Sequence, residues 1–152
     1  MTGLGEKLAR YRALPRADRR ILHRTTGLLL LAWLGLRLAG LRRIQAWAER
    51  PVCQGAGLAP TEAAAMGALV NIAARNVPWP ATCLTRSLVL ARMLRRRGAA
   101  ARLRIGARLE NGALDAHAWV ELDGLPVNDA PDVGARYAPF GDPPSPAQFR
   151  AP

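Results

Sequence analysis

The hydrophobic periodicity of this chain changes at Gly98, and that change restricts the fold more than any other feature. In the segment 82–97, apolar residues recur every three or four positions, which is typical of a helix. In the segment 101–107, leucine, isoleucine and alanine alternate with arginine and glycine, which is typical of a half-buried strand. Helices followed by strands predict an α+β fold.

Turn signals divide the second half of the chain into three predicted strands. Glu110-Asn111-Gly112 follows the first strand and precedes a second strand over 115–121. Asp123-Gly124 then precedes a third strand over 125–129. We therefore expect N-terminal helices followed by an antiparallel sheet of at least three strands.

The most reactive position is predicted at the start of the helix before this sheet. Pro78 and Pro80 keep the preceding backbone extended, Thr82 is a natural N-cap, and Gly98 is a natural C′ residue. Cys83 then lies in the first helical turn, where unpaired N–H groups and the helix dipole stabilise a thiolate. Cys83 is thus a candidate nucleophile, although a lone cysteine is often only a packing residue.

The pairing of the second hairpin decides whether a histidine and an aspartate meet. A two-residue loop at 123–124 places Asp129 opposite Ala118, on the other sheet face from His117. A three-residue loop at 122–124, with a bulge, places Asp129 directly opposite His117, where cross-strand Cβ atoms lie about 4.5–5.5 Å apart. We predict the three-residue loop.

Together these residues have the roles of a Cys-His-Asp triad. Cys83 is the expected nucleophile, His117 the acid/base, and Asp129 the carboxylate that orients the imidazole. Taken singly, His117 is also explained as a core histidine and Asp129 as a turn residue. Cys53 lies in a predicted loop without a base or a helix start, so we expect it to be non-catalytic.

Three further residues are candidates for the oxyanion hole or the substrate groove. The backbone N–H of Cys83 is one oxyanion donor, and Trp79 or Asn76 could supply a second. Packing is the alternative role for Trp79. Trp119 shares a sheet face with His117, where it would shield the His-Asp pair from water or line the groove.

The sequence predicts an N-terminal helical segment over 1–58, which is a candidate docking region, and a core over 59–152 with an irregular C-terminal tail. A helical pattern over 24–49 contains an apolar run, 27–36, that Arg37 follows. A membrane span needs about 20 predominantly apolar residues. We expect a helix buried against the domain or a partner, with peripheral membrane contact as the alternative.

A second helix is predicted over 61–74. Thr61 is its expected cap, and Ala65 and Leu69 are expected on its inner face, followed by Ile72 or Ala73. The small side chains of this segment permit close packing.

The composition argues against several classes of protein. The formal net charge is +11, but 21 of the 22 basic residues are arginine, a skew typical of GC-rich codon usage. Aromatic and basic residues are not interleaved as in base-stacking surfaces, so we expect no nucleic-acid partner. Two cysteines without a Cys-x-x-Cys motif predict a reducing cytoplasmic setting and no structural metal, and no cofactor is expected.

The motifs resemble those of a known enzyme family. Cys-Leu-Thr-Arg-Ser-Leu at 83–88, Leu-Arg-Arg-Arg-Gly at 94–98, Ala-His-Ala-Trp-Val-Glu at 116–121 and Val-Asn-Asp at 127–129 are similar to segments of the transglutaminase-like leader peptidases of lasso peptide biosynthesis, the B2 proteins. The resemblance covers about residues 60–135. It implies a papain-like core, with Cys83 as nucleophile, His117 as general acid/base and Asp129 as its orienting partner.

The resemblance also implies a substrate and partners. The substrate would be a ribosomal precursor peptide, cut between leader and core, and a separate ATP-dependent cyclase would then close the ring. No strand-rich N-terminal segment that could recognise a leader is evident, so a separate leader-recognition (B1) protein is implied. Two alternatives remain: a transglutaminase-like acyl transferase, and a non-enzymatic basic membrane or scaffold protein.

Overall fold

The computed structural model describes residues 4–50 and 57–140. The elements are, in chain order, α1 (Leu4–Ala13), α2 (Arg16–Leu38), α3 (Leu41–Ala48), α4 (Pro60–Ala74), α5 (Cys83–Arg95), β1 (Arg102–Glu110), β2 (Ala113–Leu122), β3 (Leu125–Pro126), α6 (Val133–Arg136) and β4 (Ala138–Pro139). The strands form an antiparallel sheet in the order β3-β2-β1-β4. The predicted α+β class, with helices followed by an antiparallel sheet, is confirmed.

α5 is the central helix of the described fold. Its apolar residues contact three different neighbours: Leu88 packs with Ala48 of α3, Val89 with Leu29 of α2, and Leu90 with the sheet. The partly buried positions of α5 include Arg86, Arg92 and Arg95, so the helix is packed on three sides and not wholly enclosed. Cys83 therefore begins a helix that three neighbouring elements hold in place.

Both predicted ends of α5 are confirmed. The hydroxyl of Thr82 accepts a hydrogen bond from the Thr85 N–H at 3.3 Å. At the other end Gly98 has a φ of 82°. The Ala99 N–H donates to the Leu94 carbonyl at 3.2 Å, and the Gly98 N–H to the Arg95 carbonyl at 3.0 Å, which is a Schellman motif.

The long N-terminal helix predicted over 24–49 is two helices, α2 and α3. Gly40 between them has a φ of 80°, a conformation that ends a helix and that glycine adopts without steric cost. α3 packs closely against Gly35 of α2, where the Ile44 side chain occupies the space that a Cβ would take and would have to shift to admit one. None of the described helices combines the length and the apolar character that a membrane crossing requires.

One face of α2 packs against the rest of the chain, as predicted. Leu29 and Ala32 are buried in a cluster with Ala73 of α4 and Val89 of α5. The opposite face is exposed and rich in leucine: 61% of Leu31 is accessible to solvent.

The predicted inner face of α4 is confirmed at Ala73 and wrong at Ala65, and Leu69 is half-buried. The buried residues are Ala63, Met66, Gly67, Val70 and Ala73. Ala65 is exposed, and so is Ile72. Thr61 is not the cap either, because Pro60 begins the helix and the N–H of Ala59 donates to the Glu62 carboxylate at 3.2 Å. The segment is mostly small and apolar, so its periodicity does not distinguish one face from another.

The three-residue loop predicted for the second hairpin is also wrong. Leu122 pairs with Leu125, so Asp123 and Gly124 form a two-residue loop. Their φ angles are 52° and 80°, as a type I′ turn requires at both positions. This turn suits the right-handed twist of the strands, which explains why it forms in place of the bulged loop.

The third strand is shorter than the predicted 125–129. Pairing ends at Pro126, although the Val127 N–H still donates to the Val120 carbonyl at 2.9 Å. The side chain of Asn128 then accepts the Val120 N–H at 2.8 Å. Because this side chain replaces the strand backbone, the main chain leaves the sheet before Asp129.

Candidate active site

Cys83 is the first residue of α5 and is partly buried. It lies next to the capping Thr82, whose hydroxyl also contacts the Thr85 hydroxyl at 3.1 Å. Cys83 is a free thiol. Cys53 lies outside the described residues.

His117 and Asp129 meet, although the register that led us to expect it is wrong. The Nε2 atom of His117 lies 2.5 Å from Oδ2 of Asp129, and each side chain is 22% exposed. The contact forms because the chain leaves the sheet after Val127 and is free to turn across the edge of β2. A carboxylate accepts hydrogen bonds, so this contact fits the imidazole tautomer that has its proton on Nε2 and leaves Nδ1 as the acceptor.

The Asp129 carboxylate is itself held in place. Its second oxygen, Oδ1, accepts a hydrogen bond from the Ala130 N–H at 2.8 Å. A guanidinium nitrogen of Arg136 in α6 lies 3.6 Å from the same oxygen. Both contacts fix the orientation in which Oδ2 of Asp129 meets His117.

A buried hydrogen-bond network connects α5 to the histidine and aspartate segments. The Ser87 hydroxyl donates to the Ala118 carbonyl at 3.0 Å, and the Asn128 amide donates to the Ser87 hydroxyl at 3.0 Å. Ala118 follows His117 in the chain, and Asn128 precedes Asp129.

Cys83 lies on the same side of α5 as this network. Ser87 is four residues after Cys83, so their side chains project from one face, about 6 Å apart along the axis. We did not predict Ser87 or Asn128 as site residues. The sequence signal was present: a hydroxyl residue one turn after the cysteine, and an amide next to the aspartate.

Two aromatic rings flank the His117 imidazole. The Tyr137 ring lies 4.9 Å from it and the Trp119 ring 6.4 Å, measured between ring centroids. Trp119 is fully buried with Val133 and Tyr137, and its indole N–H donates to Glu121 at 2.9 Å. This environment favours the shielding role of Trp119 over the groove-lining role.

Tyr137 was not predicted as a site residue, and it belongs to a polar cluster beside His117. Its hydroxyl donates to Asp115 Oδ2 at 2.9 Å, and Nε of Arg108 donates to the same oxygen at 2.9 Å. The Tyr137 hydrogen bond, followed by the Arg108 one, lowers the pKa of Asp115. The same hydrogen bond to Asp115 raises the pKa of Tyr137.

The two candidates for a second oxyanion donor differ in their hydrogen bonds. The Asn76 side chain donates to the Ile72 carbonyl at 2.7 Å, at the end of α4. The indole nitrogen of Trp79 is buried, and no described residue accepts its proton. An unpaired buried donor is costly, so Trp79 is the stronger candidate.

In the described segments, no three His, Cys, Asp or Glu side chains converge as metal ligands. The candidate site contains a helix-start thiol, an imidazole hydrogen-bonded to a carboxylate, and main-chain and indole N–H donors. These are the parts used in nucleophilic acyl transfer.

Comparison with known proteins agrees with this class of site. A family model described as the transglutaminase-like superfamily matches residues 28–141, well over half of the chain. The chain therefore belongs to the transglutaminase-like superfamily, whose members are typically cysteine-dependent enzymes. Searches of curated proteins and of solved structures returned no match.

Proposed function

We propose that this protein is a cysteine endopeptidase that removes the leader from a ribosomally made lasso precursor peptide in the cytoplasm. The observation that carries the proposal is the His117–Asp129 hydrogen bond at 2.5 Å. The Ser87 network supports it, because it ties the neighbours of both residues to the helix that begins at Cys83.

In the proposed reaction, the Cys83 thiolate attacks the carbonyl carbon at the leader–core junction. Nδ1 of His117 holds the thiol proton and gives it to the departing amine of the core, while Asp129 stabilises the imidazolium. The C–N bond breaks and leaves the leader as a thioester on Cys83. His117 then removes a proton from water, and the resulting hydroxide hydrolyses the thioester to the leader carboxylate and the free thiol.

The negative charge on the tetrahedral oxygen needs preorganised donors. The backbone N–H of Cys83 is the first, at the positive end of α5. The buried, unpaired indole N–H of Trp79 is the proposed second donor.

The partners of this reaction follow from the family resemblance. A separate B1 leader-recognition protein would present the precursor, and a separate ATP-dependent cyclase would join the freed core amine to an Asp or Glu side chain. Reading frames near the gene that encode these proteins and a short precursor would supply the reagents for the test.

The test is cleavage of that precursor in the presence of the recognition protein, followed by mass spectrometry. We expect the wild type to give a leader that has gained water and a free core, and Cys83→Ala to give neither. Cys53→Ala is the matched control and should remain active. Cleavage by Cys83→Ala would contradict the proposal.

Acyl transfer to an amine is the second candidate, and the superfamily match favours it because transglutaminase-like enzymes use the same thioester chemistry. The two functions differ only in the group that attacks the thioester. A product joined to an added primary amine, in place of one that has gained water, would identify the transferase.

A further inference from the structure

An apolar groove of about 440 Å³ lies between α2, α4 and the C-terminal half of α5. Leu28 and Leu31 of α2, Met66 of α4 and Met93 of α5 contribute to its wall. Met66 is buried whereas most of Leu31 is exposed, so the groove runs from a recessed floor to an open rim. Met93 is ten residues after Cys83, which is about 15 Å along the helix.

Gly27 lines this groove from the interior of α2. Glycine is less favourable than alanine in a helix interior, so Gly27 lowers the stability of α2. At Gly35 of the same helix, the Ile44 side chain occupies the space that a Cβ would take. At Gly27 a Cβ would meet no described atom within 4 Å. The glycine leaves open space in the groove that no described part of this chain fills.

The rim of the groove is positively charged. Arg24, Arg96 and Arg97 line it, and the described lining residues include no Asp or Glu. None of the three arginines forms a salt bridge with another described residue. The rim of this apolar groove carries guanidinium groups without a described ion-pair partner. It is therefore complementary to a surface on which carboxylates flank apolar side chains.

We propose that this groove binds an acidic amphipathic helix of a partner protein. Leu34 and Leu38 are also exposed and continue the leucine face of α2 beyond Leu31, at helical spacing. From Gly27 to Leu38 this face is about 17 Å long, enough for three turns of a docked helix. The groove is concave, which suits protruding side chains better than a flat bilayer surface. The proposal goes beyond the peptidase reaction and uses no residue of the triad.

The test measures fluorescence anisotropy of a labelled peptide of ~18 residues made of leucine and glutamate, with leucine at the i, i+3, i+4 and i+7 positions. A peptide of the same composition without the stripe is the ligand control. We expect wild type to bind the striped peptide at least ~10-fold more tightly than the control peptide.

Two substitutions at Gly27 distinguish binding in the groove from nonspecific electrostatic attraction of an acidic peptide to a basic protein. Gly27→Leu fills the open space without changing the charge and should weaken binding of the striped peptide at least ~10-fold. Gly27→Ala adds only a methyl group and should bind like wild type. Both variants should unfold at the same temperature as wild type or a higher one, because glycine is replaced in a helix.

Equal binding of the striped peptide by wild type and Gly27→Leu would overturn the proposal, as would equal binding of the two peptides by wild type. Vesicles containing phosphatidylglycerol test the lipid alternative. If Gly27→Leu abolishes vesicle binding but leaves peptide binding unchanged, the groove is a lipid site and the proposal is wrong. Cleavage of the precursor is not measured, so the result stands apart from the peptidase proposal.

Discussion

The hydroxyl of Ser87 donates a hydrogen bond to the main-chain carbonyl of Ala118 at 3.0 Å, and this bond joins the cysteine helix to the histidine strand. Ser87 is fully buried, and its hydroxyl also accepts from the Asn128 amide. One side chain of α5 thus bonds to both segments that carry His117 and Asp129, in addition to the apolar packing of Leu90 against the sheet.

Ser87→Ala should lower the free energy of unfolding by about 1–3 kcal/mol, because the Ala118 carbonyl and the Asn128 amide lose a buried partner. Urea denaturation measures this change. Thr26→Ala is the control, since among the described residues its hydroxyl bonds to the Leu22 carbonyl of its own helix alone. A Ser87→Ala protein as stable as the Thr26→Ala protein would show that the network contributes little.

His117→Ala should lower kcat for precursor cleavage by about 10²–10⁴-fold, the usual contribution of a positioned acid/base. Asp129→Asn should cause a smaller loss, because the imidazole stays but loses its negatively charged partner. Steady-state kinetics with the precursor measure both. His23→Ala is the control, as His23 bonds to the Tyr11 hydroxyl at 2.6 Å, far from Cys83 in the sequence. Equal activity of the His117→Ala and His23→Ala variants would contradict the proposed mechanism.

Tyr137→Phe should change how stability depends on pH. The pKa of Asp115 is lowered in the folded protein, first by the Tyr137 hydrogen bond. The ionised carboxylate therefore contributes stability above its unfolded pKa, and this contribution is lost as pH falls through the folded pKa. The pKa of Tyr137 is raised, so its contribution is present below the unfolded pKa and is lost as pH rises through the folded one.

The expected result is a stability difference between wild type and Tyr137→Phe that is greatest near neutral pH and shrinks at both extremes. Urea denaturation between about pH 3 and pH 11 covers both unfolded pKa values. For Tyr11→Phe, at the other tyrosine of the chain, the stability difference should not shrink as pH falls through the carboxyl range, because the Tyr11 hydroxyl contacts His23 and no described carboxylate. A pH-independent difference for Tyr137→Phe would contradict the Asp115 assignment.

Gly106→Ala should destabilise the protein by about 1–3 kcal/mol through overpacking. A Cβ at Gly106, the residue paired with His117, would lie 2.8 Å from the Ala138 carbonyl oxygen and 3.1 Å from the Trp119 ring. Strand β4 or the ring would have to move, and Tyr137 with it. Thermal unfolding measures the loss. Gly27→Ala is the matched control, because the same change in open helical space should stabilise by about 0.5–1 kcal/mol.

Local features of the fold could be predicted from sequence because short-range physics decides them. Thr82 caps its own helix, and the positive φ of Gly98 ends it. The alternation of β1 and the Asp123-Gly124 turn signal likewise depend on neighbours within a few residues. Cys83 at a helix start follows directly from these features.

Only the tertiary structure decided how His117 and Asp129 meet. The predicted cross-strand pairing was wrong, and the contact forms because the Asn128 side chain takes the place of the strand backbone. That exchange depends on Ser87, which lies 41 residues earlier in the chain. Periodicity cannot report such a bond, because it involves one side chain from each of two distant segments.

The sequence did not determine the inner face of α4 or the open space beside Gly27, for a related reason. Where nearly every residue is small or apolar, each face of a helix can be buried at similar cost, and the neighbouring elements select one. Local sequence determined where α5 begins and ends, through capping and backbone sterics. The packing of distant segments determined which side chains meet, since burial and hydrogen bonding between those segments exist only once the chain has folded.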